Sequence, residues 1–334
     1  MKVPFCDHRV IGEGERRALL RAVEKVLDHG RLCPSPEADE LERKAAARLG
    51  REHAVMLRSG GEAIRLVLQA LGIGRGTEVI VSPFLSAATL RAIRQAGAKP
   101  VFCPAGDDLG VDPAALPFLI GPRTRAIMPT HWGGRLGDMD AYLDLGLPVI
   151  EDGAKSFGAE RRGHKAGGSG LAGCFDLGPG GMLAGLGEAG LVVTDDTGLA
   201  ERLRTGRGEA PPDPLQAALL VQRLKRVDGI LLCREENARY YDEHLKGLAG
   251  LPEAESGERQ AFDGYALRTG RRDRLRTYLE RRGIATRLPE AAARGKAGRA
   301  GDAVIAIPVG ERLGKPQRIY VAETIRRFFR VKGL

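Results

Sequence analysis

The chain has 334 residues, 43% hydrophobic and 28% charged, which is enough for one large core and a smaller second domain. No run of about 18 apolar residues occurs, so no membrane span is expected, and the start MKVPFCDHRV lacks the apolar stretch of a signal peptide. The net charge of +9 is spread over stretches such as ERLRTGRG and RTGRRDRLR, with no nucleic-acid motif and few aromatics for stacking; a nucleic-acid partner is not expected, whereas an anionic small molecule is a candidate ligand.

Two helices open the chain, over 14–30, with Leu19, Leu20, Val23 and Leu27 at helical spacing, and over 38–49. Strands and helices then alternate. HAVMLRS, EVIVSP, KPVFCPA, TRAIMPTH, PVIEDGA and GLVVTDD read as strands, and GGEAIRLVLQAL, SAATLRAIRQAG, AYLDLG and TGLAERLRTG as helices. The pattern predicts βαβ units and a mainly parallel sheet. From Asp213, a candidate N-cap, to about residue 248 the sequence reads as one long amphipathic helical segment. A strand, a helix, a polar stretch, a strand and a last helix follow, as in a small α+β domain. EAAARGKAGRAG, residues 290–301, reads as a flexible or shortened connection. Two domains are expected, 1–235 and 236–334. The five cysteines are odd in number, far apart and without a C-x-x-C pair, which points to reduced thiols in a cytoplasm and to no metal site.

Several spaced motifs occur in a telling order: SGGEAIRLVLQALGIGRGTEVIVSPF, GAKPVFCPAGDDLGVDPAAL, PRTRAIMPTHWGGRLGDMD, PVIEDGAKSFGAE and GLVVTDD. Together they resemble the DegT/DnrJ/StrS class of pyridoxal-phosphate-dependent aminotransferases, which aminate keto-sugars on nucleotide carriers. The resemblance implies fold-type I: a large α/β domain with a mainly parallel sheet sandwiched by helices, and a small C-terminal α+β domain. It also implies a dimer, either with itself or with an active paralogue.

Fold does not give function, and the site residues depart from the family's pattern. The family's F-S-F-x-P-G-K-N-L stretch is Phe175-Asp176-Leu177-Gly178-Pro179-Gly180-Gly181-Met182-Leu183 here. The Schiff-base lysine falls on Gly181. The phosphate-binding serine falls on Asp176, whose charge repels a dianion. The phosphate-binding S-G-T turn is Ser59-Gly60-Gly61, and the stacking aromatic is Ser86. The G-x-N-x-R segment that relatives lend to a partner is replaced by Glu209–Pro214. The carboxylate for the pyridine nitrogen remains as Asp152, the glutamine three residues on is Lys155, and His131 in PTHWGG fits the pattern.

These departures predict that the cleft binds no pyridoxal phosphate and that the protein is a degenerate, non-catalytic or partner subunit in amino-sugar, polysaccharide or secondary-metabolite biosynthesis. A cofactor-free enzyme using Lys155, His131, Asp152 and Asp176 on a sugar-nucleotide-like anion is the alternative, and an aminotransferase with Lys155 as relocated Schiff-base lysine is a third reading. Beside these stand plainer roles: Lys155 paired to Asp152 or Asp176, His131 a hydrogen-bonded structural residue, Cys174 a small buried thiol, and His164 an exposed loop residue.

Overall fold

The structure is a computed structural model that describes residues 1–106, 108–208, 212–250, 257–289 and 303–330. Helices α1 (Glu13–His29) and α2 (Pro36–Leu49) lead into the alternating region. Ser35 caps α2 by accepting from the Ala38 N–H, with Pro36 opening the helix and Gly50 in the left-handed conformation closing it. There follow β1 (His53–Leu57), α3 (Gly60–Ala70), β2 (Glu78–Val81), α4 (Ala87–Gln95), β3 (Lys99–Phe102), β4 (Thr124–Met128), α5 (Met139–Leu143) and β5 (Ile150–Asp152). A short hairpin, β6 (Glu160–Arg161) and β7 (His164–Lys165), precedes β8 (Ala172–Asp176), β9 (Gly190–Thr194) and α6 (Thr197–Gly206).

Hydrogen bonding gives one sheet in the order β1-β9-β8-β5 and another in the order β3-β2-β4. Parallel bridges Ile127–Val149 and Thr130–Asp152 join them through β4 and β5. In this joined sheet β9 runs antiparallel to both its neighbours, and the other pairings are parallel. The mainly parallel sheet is therefore as expected.

Alternation along the strands feeds two cores. Ala54, Met56, Ile80, Leu191 and Val193 face one, with residues of α2, α7 (Pro214–Leu224) and α8 (Val227–Leu245). Val55, Leu57, Val79, Val81 and Val192 face the other, with residues of α3, α4 and α6. A sheet covered on both faces explains why its strands are near-continuous apolar runs. Each fully buried Leu, Ile or Val contributes roughly 1.5–3 kcal/mol.

The segment read as one helix is two. α7 ends at Leu224 and α8 starts at Val227, with Lys225 and Arg226 between them. The amphipathic period runs through the break, which is why the sequence hides it. Asp213 does cap α7, accepting from the Leu215 and Gln216 N–H groups. The C-terminal part holds β10 (Tyr265–Arg268), α9 (Arg272–Glu280), β11 (Val304–Ile307) and α10 (Lys315–Arg330). β10 and β11 pair antiparallel over a third core that takes in Val3, Tyr241, Leu275, Ile325 and Phe328. No described helix is long and apolar enough to cross a membrane. Residues 290–301, and 209–211 of the segment before α7, lie outside the described residues.

Candidate functional site

The carboxyl ends of the parallel strands gather the residues singled out in the sequence. Ser59 follows β1, Ser86 follows β2, His131 follows β4, Asp152 ends β5 and Asp176 ends β8. This is the edge where open α/β sheets place their ligands.

Asp152 is buried, with 2% of its surface exposed. Its Oδ2 accepts from the Thr89 hydroxyl (2.9 Å) and the Thr130 hydroxyl (3.1 Å), and its Oδ1 from the Ala154 N–H at 3.3 Å. Ser86 Oγ lies 3.1 Å from Thr89 Oγ1 and also caps α4 by accepting from the Thr89 N–H. Burial pushes the Asp152 carboxyl up, and these donors offset part of that shift. Among the described residues no cation pairs with it within 4 Å. The expected lysine partner is not there, because Lys155 points elsewhere. Thr89 and Thr130 escaped the sequence reading, since a hydroxyl at a helix or strand end carries no motif.

The neighbouring residue, Glu151, was also missed, although alternation along β5 sends it to the opposite face. It is fully buried and accepts from the N–H groups of Gly167, Ser169 and Gly170 at 2.7, 3.0 and 2.7 Å. His131 Nε2 meets its Oε2 at 2.9 Å, while His131 Nδ1 accepts from the Gly137 N–H at 3.4 Å. That second bond leaves the ring proton on Nε2, directed at Glu151. Burial alone would raise the Glu151 carboxyl, but the His131 bond and the backbone donors outweigh it and hold it below its ordinary value. The His131 ring is thus committed to Glu151 and Gly137, and bonds neither the Asp152 carboxylate nor Lys155.

Cys174 is buried on β8, and burial beside Asp152 and Glu151 drives its thiol far up, which keeps it protonated and unreactive. His164 bonds Ser169 and Asp140 on the partly exposed hairpin side.

The glycine-rich stretch after β8 folds back on itself. The Leu177 N–H bonds the Ala189 carbonyl, Gly181 N–H bonds Gly178 O, and Gly185 N–H bonds Leu177 O. This winding places Gly181 against the strand end. A Cβ at residue 181 would overlap the carbonyl oxygen of Asp176 and lie 2.7 Å from its carbonyl carbon. A side chain at 181 therefore needs the backbone around Asp176 to shift. Asp176 packs its Cβ on Gly60, where a Cβ would come within 2.9 Å of it. Its carboxylate turns to the loop, with Oδ1 accepting from the Gly178 N–H at 2.9 Å. Lys155, on the turn after β5, donates from Nζ to the Gly180 carbonyl oxygen. It pairs with neither Asp152 nor Asp176 within ion-pair distance.

α3 begins at this edge. Ser59 Oγ accepts from the Glu62 N–H, while the N–H groups of Gly60 and Gly61 have no carbonyl four residues back to bond. Between the loop and the C-terminal part runs a crevice of about 100 Å³, lined by Cys6, Gly180, Gly181, Arg234, Arg287 and Arg312 among others. Each of these arginines already has a carboxylate: Arg234 has Glu311, Arg287 has Asp263 and Arg312 has Glu15. These three crevice arginines are thus paired within the chain.

With this geometry in view, the comparisons with known proteins are informative. A model of the DegT/DnrJ/EryC1/StrS aminotransferase family matches residues 14–209 and 213–295. The dTDP-3-amino-3,4,6-trideoxy-alpha-D-glucose transaminase of Streptomyces venezuelae is 35% identical, over 98% of this chain and 96% of its own. The crystal structure of S. venezuelae DesV in complex with a ketimine intermediate is 34% identical and superposes with a TM-score of 0.91 over 99% of both chains. NtdA from Bacillus subtilis, solved with bound cofactor PMP, is 22% identical with a TM-score of 0.86 over 99% of this chain and 86% of its own, a likeness of fold.

These findings correct one expectation. Aminotransferases similar over nearly the whole chain, one of them solved with a ketimine intermediate, point to pyridoxal phosphate rather than to no cofactor. The site fits that group at one end. Asp152 is a buried acid with no ion-pair cation among the described residues, which suits a ring nitrogen, and Gly60 and Gly61 open α3 at the same edge, where Asp176 packs on Gly60. The fit does not extend to a covalent link through residue 181, because the backbone itself fills that place.

Proposed function

This chain belongs to the DegT/DnrJ/EryC1/StrS aminotransferase family, and from that premise we propose that it serves nucleotide-linked amino-sugar biosynthesis as a divergent subunit that has lost the family's usual lysine chemistry. The observation that carries the reading is the closed position 181. The loss is not of one side chain but of the space for it. Pyridoxal phosphate, when bound, supplies an electron sink for bonds at the amine-bearing carbon. Asp152 would hold its ring nitrogen, Thr89 and Thr130 would orient that carboxylate, and the Gly60 and Gly61 N–H groups would face its phosphate. Thr89 is itself positioned by Ser86. Glu151 and His131 hold the strand ends from below and take no part above the sheet.

The partner in this reading is a second subunit, either another copy or an active paralogue. One feature supports it: Leu20 and Leu27, one helical face of α1, stand 54% and 72% exposed.

The test is amination of a dTDP-linked keto-sugar by the purified chain, given pyridoxal phosphate and an amino-acid donor. The expected result is no sustained turnover by the chain alone. Turnover at the roughly 1–10³ s⁻¹ of ordinary enzymes would overturn the reading.

A further inference from the structure

We propose that Lys155 is the residue that anchors an aldehyde cofactor of the pyridoxal-phosphate class covalently in this cleft, in the place that residue 181 cannot fill. The proposal rests on the reading that the cleft takes this cofactor, and it adds the atom that would hold it.

Lys155 follows Asp152 by three residues, on a turn pinned by the Ser156 N–H to Gly153 O and the Ala159 N–H to Ser156 O bonds. The same short segment therefore carries the buried acid and the amine. From that turn the lysine crosses to the glycine loop. Its Nζ lies 3.3 Å from where a Cβ of Gly180 would stand, one residue from 181. Asp176 Oδ2 lies 3.5 Å from the same point. The amine thus stands at the loop from which the lysine of relatives would emerge, having arrived from the opposite wall.

Lys155 is also held in a way that leaves it available. Among the described residues it bonds the main-chain carbonyl of Gly180 and no carboxylate. A four-carbon stem with freely turning donors can exchange that bond for another at small cost. A lysine amine is the side chain that condenses with carbonyl compounds. The step balances without a further reagent. Two of the three Nζ hydrogens leave with the aldehyde oxygen as water, a carbon–nitrogen double bond replaces the carbon–oxygen one, and the remaining hydrogen and positive charge stay on nitrogen.

The experiment loads the full chain with pyridoxal phosphate, dialyses it, measures retained cofactor, reduces with borohydride and maps the label by peptide mass. Lys155→Arg, which keeps the charge, is treated in parallel after circular dichroism has confirmed its fold. The expected result is a phosphopyridoxyl mass on the peptide carrying Lys155, lost in Lys155→Arg. Retained cofactor with no label at Lys155, or equal labelling of other lysines in both proteins, overturns the anchor and spares the cofactor reading. No retained cofactor in the wild type overturns that reading and the anchor with it.

Discussion

Two regions of one cleft are built in opposite ways. Around the ends of β4 and β5, side chains do the work. Asp152 is fastened by two threonine hydroxyls, and Glu151 on the reverse face by an imidazole and three backbone amides. In the loop after β8 the main chain has moved into the space of a side chain, and Gly181 touches what its own Cβ would have displaced. The first region still offers an acid in need of a cation. In the second, backbone stands where a side chain at 181 would begin. The difference teaches that a lost catalytic residue can be a reversible matter of side chains or a matter of backbone, and that only the packing tells them apart.

The largest expected effect is on the side-chain region. Glu151→Ala leaves His131 and three inward N–H groups without an acceptor in a dry interior, and breaking such a buried pair costs about 3–5 kcal/mol. Denaturant unfolding should show that loss. A cost below about 1 kcal/mol, the scale of an exposed pair, would mean the strand ends are held by something else.

A smaller but more pointed effect belongs to the loop. Gly181→Ala adds one methyl group where the Asp176 carbonyl stands, and overpacking of this kind costs about 1–3 kcal/mol. Gly163→Ala is a control at an exposed turn with open space around the glycine, where the penalty is for its positive φ alone. A Gly181→Ala protein as stable as the wild type would remove the contrast between the two regions.

The smallest effect sharpens the comparison by pH. Asp152 has a raised folded value, so its ionised form opposes folding at neutral pH, and that opposition is relieved as pH falls through the raised value. Glu151 has a depressed folded value, so its contribution is present above the ordinary carboxyl range and is lost as pH falls through the depressed value. Thermal midpoints should therefore rise slightly on mild acidification before they fall. Asp152→Asn should shrink the rise, of which the raised Glu42 carboxyl keeps a part, and keep the fall. A monotonic fall in the wild type would contradict the assignment of Asp152 as an unneutralised acid.

Much of this molecule was legible in its sequence. The alternating strands and helices and the cap at Asp213 stand where the pattern put them. The break at Lys225–Arg226 was not, because an unbroken apolar stripe hides a change of helix axis. Glu151 was overlooked in favour of its neighbour, since family motifs draw attention to one face of a strand and not the other. The absence of lysine at 181 was plain to read, but the closure behind it was not, because it is made by carbonyl and amide groups that every residue shares. The inference from lost side chains to a lost cofactor went too far for a related reason: Asp152 is needed at one end of the group, and changes at the other end do not speak for it.

The most direct measurement is amination of a nucleotide-linked keto-sugar by Gly181→Lys beside the wild type, with pyridoxal phosphate supplied. If the backbone has closed over position 181, the restored lysine has nowhere to go, and neither protein turns over. Sustained turnover by Gly181→Lys would show that only a side chain was missing and would contradict the account.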